Sequence, residues 1–580
     1  MRTKLGNLRM RSIASFVFGS WFILSWNAEM RAQTTADFCP RPSPASTVTE
    51  PANLSSTNGV LKVELTARNE KQEDGSIRYC FVDGAGRESP TLRVHPGDLV
   101  LLTLKDDLTD FGSSAPAALH QHMEMDTDIE KAKGLCAATN SMTAESTNLH
   151  FHGLTIPPTC HQDDVLHTSI QPGEAPFEYR FRIPKDEPPG LYWYHPHIHG
   201  FTKQQVLGGA SGAIIVEGIE RNDKAVAGLP ERVLVIRDQD LLNPSAPPSK
   251  SEPVVSKMLL DRDGDAANTG TGFGKPAKDL SINFVPVPYP DYPPAVMEMK
   301  PDEQELWRVV NASGITYLNL ELLFGHKPQP LGLVAMDGVP LNTAGFPPDF
   351  VDWQTHLGIP PGARMEFIVK GPPQGASALL VTRTVDTGPG GENDPNRALA
   401  VISPSKDAPE PAVRLPASPE PPAASRLPWL GSVAPARTRK LYFSEKLLDP
   451  NNPNSATEFY LTVEGQTPQR FDPNSGVPNI IAKQGTVEDW IIENRSSELH
   501  AFHIHQLHFV LLDYEGREVN EPFLRDTVNV PYYNGKTLVY PSVRLRMDFR
   551  DPNTIGDFVY HCHLLEHEDG GMMGLIRVEP

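Results

Sequence analysis

Four short stretches of this chain concentrate groups that bind metal. They are His150-Phe151-His152-Gly153, His195-Pro196-His197, His500-Ala501-Phe502-His503-Ile504-His505, and His561-Cys562-His563 with His567 and Met572 following. Imidazole alone suits copper, iron, nickel and zinc. A thiolate and a downstream thioether beside two imidazoles narrow the choice, because that set holds the blue form of copper. Ten histidines are more than one ion needs, so several coppers are implied.

Two histidines separated by one residue on a β-strand point to the same face, because side chains alternate with period two. Four such pairs occur: 150/152, 195/197, 503/505 and 561/563. Two lie in the first half of the chain and two near its end. Packing those regions together would surround one cavity with eight imidazoles. Cys562 lies between His561 and His563, so its side chain faces the opposite way. There it can join His500, His567 and Met572 in a separate mononuclear site. One residue step then links the two sites. A single copper takes electrons one at a time and a cluster stores them, a design that suits reduction of dioxygen to water.

The elements that would position these groups are strands. Leu61-Lys62-Val63-Glu64-Leu65 alternates, and Asp98 to Leu104 is an apolar strand after the turn His95-Pro96-Gly97. Gly212 to Glu217 closes a first block. Arg232 to Ile236, Trp307 to Ala312 and Met365 to Val369 mark a second, and Lys440 to Phe443 and Gly574 to Val578 bound a third. Proline is plentiful, 57 residues in 580, as expected of many turns and few long helices. An echo links the blocks. Pro96-Gly97-Asp98-Leu99-Val100, Pro301-Asp302-Glu303-Gln304-Glu305-Leu306-Trp307 and Gln484-Gly485-Thr486-Val487-Glu488-Asp489-Trp490 are comparable, but only the first and third precede paired histidines. This predicts three β-sandwiches, the middle one without ligands.

The expected organisation is a signal peptide over 1–32, a loose arm over 33–58, a first domain over 59–222, a second over 223–402, a proline-rich linker over 403–428 and a third domain over 429–580. Residues 108–147 read as an insertion and 243–280 as including a long loop. Arg2, Lys4, Arg9 and Arg11 precede an apolar run from Ile13 to Trp26, with cleavage near Ala32; an uncleaved anchor is the alternative. No adjacent Arg-Arg pair marks a twin-arginine signal. Export implies a secreted or periplasmic protein with no membrane contact once the signal is removed. With Cys562 on metal, Cys39, Cys80, Cys136 and Cys160 can form two disulfides, and Cys39–Cys80 with Cys136–Cys160 is the sequence-local pairing. The net charge of −20 becomes more negative without the signal and disfavours nucleic acid as a partner.

Taken together, these motifs resemble those of the multicopper oxidases, in family order and across essentially the whole mature chain. The resemblance implies an all-β fold of three consecutive cupredoxin-like Greek-key β-sandwich domains and four coppers. It implies type 1 copper on His500, Cys562 and His567 with Met572 axial, and type 2 copper on His150 and His503. The type 3 pair would fall to His152, His195, His197, His505, His561 and His563. It also implies carboxylates that deliver protons: Glu568, and either Asp163 or Asp164, whose spacing departs from the family pattern. The implied activity is oxidation of a small-molecule or metal-ion reductant by O2, by a monomer. Phenols and aromatic amines are the first expectation. A cuprous-ion or other metal oxidase is the alternative, although 14 methionines without a dense cluster build no Cu(I) funnel. A copper-binding scaffold with little turnover is a third reading, and a copper nitrite reductase leaves the type 3 histidines unexplained. His199 could lie beside the ligands or simply end a strand. His161, His167 and His508 read as surface or satisfied-core residues, and His120-Gln121-His122-Met123-Glu124-Met125-Asp126 reads as a polar insertion or an extra metal loop.

Overall fold

The computed structural model describes residues 38–111, 142–247, 260, 265–344, 347, 349–409, 411, 427–449, 451, 455–521 and 523–580. The expected signal peptide with its expected cleavage near Ala32, Cys136, the His120–Asp126 segment and most of the expected proline-rich linker lie outside the described residues.

The fold is three consecutive β-sandwiches of cupredoxin type, each made of two sheets. In the first, a five-stranded sheet runs in the order Asn53–Ser55, Thr91–Val94, Gly212–Val216, Gly190–His195, His150–His152. Its partner has four strands in the order Ile77–Asp83, Val60–Lys71, Leu99–Asp106, Phe177–Arg182. The second sandwich has eight- and six-stranded sheets, the third seven- and five-stranded ones. Alternation decides which face is buried. Leu61, Val63 and Leu65 turn inward while Lys62 and Glu64 face solvent. Each such leucine contributes about 1.5–3 kcal/mol by leaving water.

The sequence echo has a structural counterpart. Leu99–Asp106 pairs in parallel with Val60–Lys71, Gln304–Asn311 with Glu231–Gln239, and Val487–Asn494 with Arg437–Leu447. Each turn before the second strand needs a left-handed residue: Gly97 at φ +92°, Asp302 at φ +60° and Gly485 at φ +85°. Only glycine adopts this without strain, and aspartate is among the next best.

The stretch expected to be a loose arm is anchored in its described part. Cys39 is disulfide-bonded to Cys80. Val48 enters the core of the second sandwich, Glu50 accepts the N–H of Val233 at 3.0 Å, and Asn53–Ser55 joins the first sandwich. Residues 38–55 therefore strap the first two sandwiches together. The small, polar composition hid this, because beyond the disulfide one buried valine, the Glu50 side chain and a run of backbone bonds do the anchoring. Cys160 is also disulfide-bonded. Among the described residues no helix is long and apolar enough to cross a membrane.

Candidate metal centre

Two antiparallel strand pairs build the site, one from the first sandwich and one from the third. His150–His152 pairs with Gly190–His195, setting His150 opposite His195. His500–Ile504 pairs with Gly556–Cys562, setting His503 opposite His561. Only the 150/152 pair lies wholly inside a strand. His195, Ile504 and Cys562 each end a strand, so His197, His505 and His563 sit just beyond the ends. Pro196 has no N–H to continue the ladder, and the side chain of Asn148 instead receives the N–H of His197 at 2.7 Å. His505 and His563 extend their ladders by single bonds to Val559 and Ala501. Both rings of each pair nevertheless stay buried and close together, with centres 5.2–6.2 Å apart.

The two strand pairs face each other across the seam between sandwiches. The His150 ring stacks on that of His505 at 3.7 Å, and His152 on His503 at 3.9 Å. Nε2 of His561 lies 3.2 Å from Nε2 of His505 and 3.5 Å from Nε2 of His197. All eight rings are buried. Burial first, and repulsion between neighbouring imidazoles for most of them, push their pKa values down, to about 3 for His195 and about 4 for His561. Each is thus held as neutral imidazole, the form that binds metal.

Nε2 of His150, His195 and His503, Nδ1 of His152 and His505, and both ring nitrogens of His563 are buried without a hydrogen-bond partner. An unsatisfied buried polar atom costs about 1–3 kcal/mol, so such a concentration at one point calls for a cation. The donor set, all imidazole, fits copper. Several triads of these ligand atoms lie within 4.8 Å of one another, as do those of His500, Cys562 and His567.

The second site lies on the other side of Cys562. Its Sγ is 3.5 Å from Nδ1 of His500 and 3.9 Å from Nδ1 of His567. Burial drives the thiol well above its ordinary pKa, so a bound cation has to displace its proton. The carbonyl of Met572 accepts the N–H of Cys562 at 3.1 Å, and Met572 packs in the same core cluster as Cys562. Met573 packs elsewhere, against Val165 and Val559.

The carboxylates separate by position. Asp163 is buried, lies 3.0 Å from Nδ1 of His150 and accepts the N–H of Phe151 and the side-chain amide of Gln506. Asp164 instead pairs with His167 at 2.8 Å and reaches no cluster histidine. Glu568 sits on the short helix Leu565–Asp569. A helical turn swings its buried carboxylate to 3.2 Å from Nδ1 of His561 and 3.6 Å from Nε2 of His197. Burial raises its pKa well above the ordinary value, with the neighbouring Asp569 adding to the effect. Among the remaining histidines, His508 meets the carbonyl of Asp337 at 2.9 Å and His161 that of Glu178 at 2.6 Å, while His199 lies beside Met142 and Phe471.

Sequence reasoning missed several supporting groups. Ser496 Oγ lies 2.7 Å from Nε2 of His500, and Glu498 lies 3.3 Å from Nε2 of His567. Asp526 contacts both His152 and His503. No motif marks them. Beside the His567 edge a cavity of about 1350 Å³ opens to solvent, lined among others by Phe459, Glu458, Glu498, Arg470 and Lys203, and among the described residues by no methionine. Phe459 stacks on His567 at 4.3 Å.

Two family models, each described as multicopper oxidase, match residues 133–221 and 446–580, the two regions that supply the histidines. A multicopper oxidase of Staphylococcus haemolyticus is 24% identical over 442 residues, 75% of this chain and 77% of that protein. The fold matches a multicopper oxidase from Campylobacter jejuni described as a metallo-oxidase, with a TM-score of 0.62 at 23% identity over 93% of this chain and 96% of that one. It also matches a laccase from Pediococcus acidilactici, with a TM-score of 0.61 at 19% identity over 93% and 95%. A buried chamber of neutral imidazoles beside a cysteine–histidine site, with family models on both of its halves, leads to one conclusion: the chain belongs to the multicopper oxidases, copper-dependent oxidoreductases that couple a reducing substrate to O2.

Proposed function

We propose that this is an exported, monomeric, laccase-like enzyme that oxidises phenols or aromatic amines and reduces dioxygen to water. The three domains would span 59–222, 223–402 and 429–580. Type 1 copper would be held by His500, Cys562 and His567, with Met572 as a weaker fourth donor. Type 2 copper would be held by His150 and His503, and the type 3 pair by His152, His195, His197, His505, His561 and His563. Copper, when bound, supplies the one-electron acceptor and the centre of oxygen reduction. The chain supplies the rest. Cys562 belongs to one site and its two neighbours to the other, so the backbone itself spans the gap. Asp163 and Glu568, each beside a cluster histidine, are positioned to hold and deliver protons.

The observation that carries the substrate assignment is the cavity at His567. It is large enough for an aromatic ring, Phe459 forms an aromatic wall, and Glu498 stands beside the imidazole edge, where it can accept the proton a phenol loses on oxidation. Its described walls contain no thioether for Cu(I). The same mouth also bears Glu458, Glu566 and Asp569. Oxygen ligands suit a harder cation, which keeps a metal-oxidase reading as the second one.

Oxygen uptake by copper-loaded protein on phenols, aromatic amines, Fe(II) and Cu(I) tests both readings. Turnover highest on the organic reductants supports the first. Turnover confined to metal ions establishes the second. Copper binding without oxygen uptake on any of them leaves only a scaffold.

A further inference from the structure

The middle sandwich supplies none of the ligands proposed above, yet its loop Pro360-Pro361-Gly362-Ala363-Arg364 presses on the histidine chamber. Cβ on Gly362 would stand 2.7 Å from the His563 ring. The Gly362 carbonyl accepts the indole N–H of Trp193 at 3.1 Å, and that indole stacks on His195 at 4.2 Å. Arg364 is fully buried. It donates through both arms of its guanidinium to Asp526 of the third sandwich, Nη1 to Oδ1 at 2.8 Å and Nη2 to Oδ2 at 2.7 Å. Gly153, the glycine of the first motif, lies directly against this pair. A side chain there would collide with Nη2 of Arg364 and with Asp526.

Asp526 in turn touches one cluster histidine of the first sandwich and one of its own. Its Oδ1 is 3.3 Å from Nε2 of His152. Its main-chain carbonyl is 2.9 Å from Nδ1 of His503. Both contacts require the histidine nitrogen to carry the proton, since carboxylate and carbonyl oxygens only accept. His152 is thereby fixed with Nδ1 bare, and His503 with Nε2 bare. Those are the two nitrogens that lack any partner. One residue therefore sets opposite tautomers on two stacked rings, so that each turns its lone pair toward the chamber. A lone carboxylate so deeply buried would be neutralised or would swing toward other donors. The two-pronged guanidinium prevents that, and it fixes the carboxylate plane as a point charge could not. The N–H groups of Asp526 and Thr527 both donate to Asp337, which also accepts the N–H of Arg364, so the unit is braced from the backbone as well.

We propose that Arg364 is a positioning residue for the copper cluster. Acting from the middle domain, it clamps Asp526 and so sets the ring orientation and tautomer of His152 and His503. The inference rests on the copper reading above. Its test uses the full copper-loaded chain, with wild type, Arg364→Gln and Arg364→Lys compared for copper content, type 2 resonance parameters and copper retention against a chelator. Wild type that binds no copper would overturn the copper reading itself. Given copper-loaded wild type, Arg364→Gln should lose cluster copper about 10- to 100-fold more readily and alter the type 2 hyperfine pattern, while the blue absorbance of the Cys562 site stays. Arg364→Lys keeps the charge but not the fork, and should fall between the two. If Arg364→Gln does not fold, the lysine variant carries the test alone. A folded variant with wild-type type 2 parameters and wild-type copper retention overturns the proposal, even if its melting temperature falls, because that pattern marks a merely structural ion pair. Loss of blue absorbance in parallel with cluster copper overturns it too, since the effect would then be global.

Discussion

Gly362→Ala puts one methyl group where the structure leaves no room for it, and the consequence can be worked through. Gly362 has φ +85°, where alanine costs about 1–2 kcal/mol. The new Cβ would lie 2.7–2.8 Å from Cδ2, Nε2 and Cε1 of His563. Ordinary contact begins near 3.4 Å, so the imidazole must retreat by roughly 0.7 Å. It cannot retreat freely, because the rings of His152, Trp193, His195 and His503 lie within 5.1–5.8 Å of it, centre to centre. Overpacking of this kind costs about 1–3 kcal/mol. The sum is about 2–5 kcal/mol of folding stability. The effect on metal should be larger still. Metal–ligand distances tolerate shifts of only about 0.2 Å, so a ring moved three times as far no longer holds copper. The variant should fold with a lowered melting temperature, keep its blue colour and lose cluster copper by metal analysis. A variant with a wild-type melting temperature and full copper content would refute the reasoning, because the loop would then have moved away at little cost.

Other perturbations follow from the same geometry. Cys562→Ser should abolish blue absorbance and oxidase activity yet leave most cluster copper, since a hydroxyl is too weak a donor to replace the thiolate; substantial turnover would show that electrons enter elsewhere. Met572→Leu should raise the reduction potential of the blue copper with little loss of stability, whereas Met573→Leu should not move it; potentiometry on both decides. Glu568→Gln should slow reoxidation of the cluster more than substrate oxidation, increasingly at high pH where solvent protons are scarce; rapid-mixing rates equal to wild type at every pH would exclude proton delivery by Glu568. Asp106 is buried with one backbone donor, and burial, followed by the nearby Asp107, Glu145 and Glu174, pushes its pKa up to about 7. Its folded pKa lies above the unfolded one, so its contribution to stability falls as pH rises from about 4 to 7. Asp106→Asn should therefore stabilise the fold by about 1–3 kcal/mol at pH 8 and by nothing at pH 4, seen as a melting shift at the higher pH only.

The ligand candidates were legible because strand alternation is a local rule. Paired histidines reveal themselves from two positions of sequence, and Cys562 stands out by lying between two of them. Asp163 and Asp164 could not be separated in the same way, because a turn at His161, with φ +64°, decides which carboxylate faces inward. Glu568 was recognised as a candidate, but its helix was not, since Leu565–Asp569 is too short to show a period. Asp526 left no trace at all. Its partner His152 is 374 residues away, and such pairings are set by how sandwiches dock, not by local pattern. The strap over residues 38–55 was misjudged for a related reason. Apart from the Cys39–Cys80 disulfide, its anchoring comes from backbone pairing, a single valine and the Glu50 carboxylate, and composition registers none of these.

The seam through the histidine chamber also sets a clock. His197 and His561 meet across 364 residues of chain. At about 5–20 residues per second, roughly 20 to 70 seconds separate the synthesis of these two rings. Until His503 and His505 are made, late in that interval, the first sandwich presents four imidazoles with nothing opposite them. Whatever ion they take up then is held by half a site and must be released or reclaimed when the last strand arrives. The chamber is thus finished only when the strand bearing His561 arrives, and a product truncated before it carries half of the site.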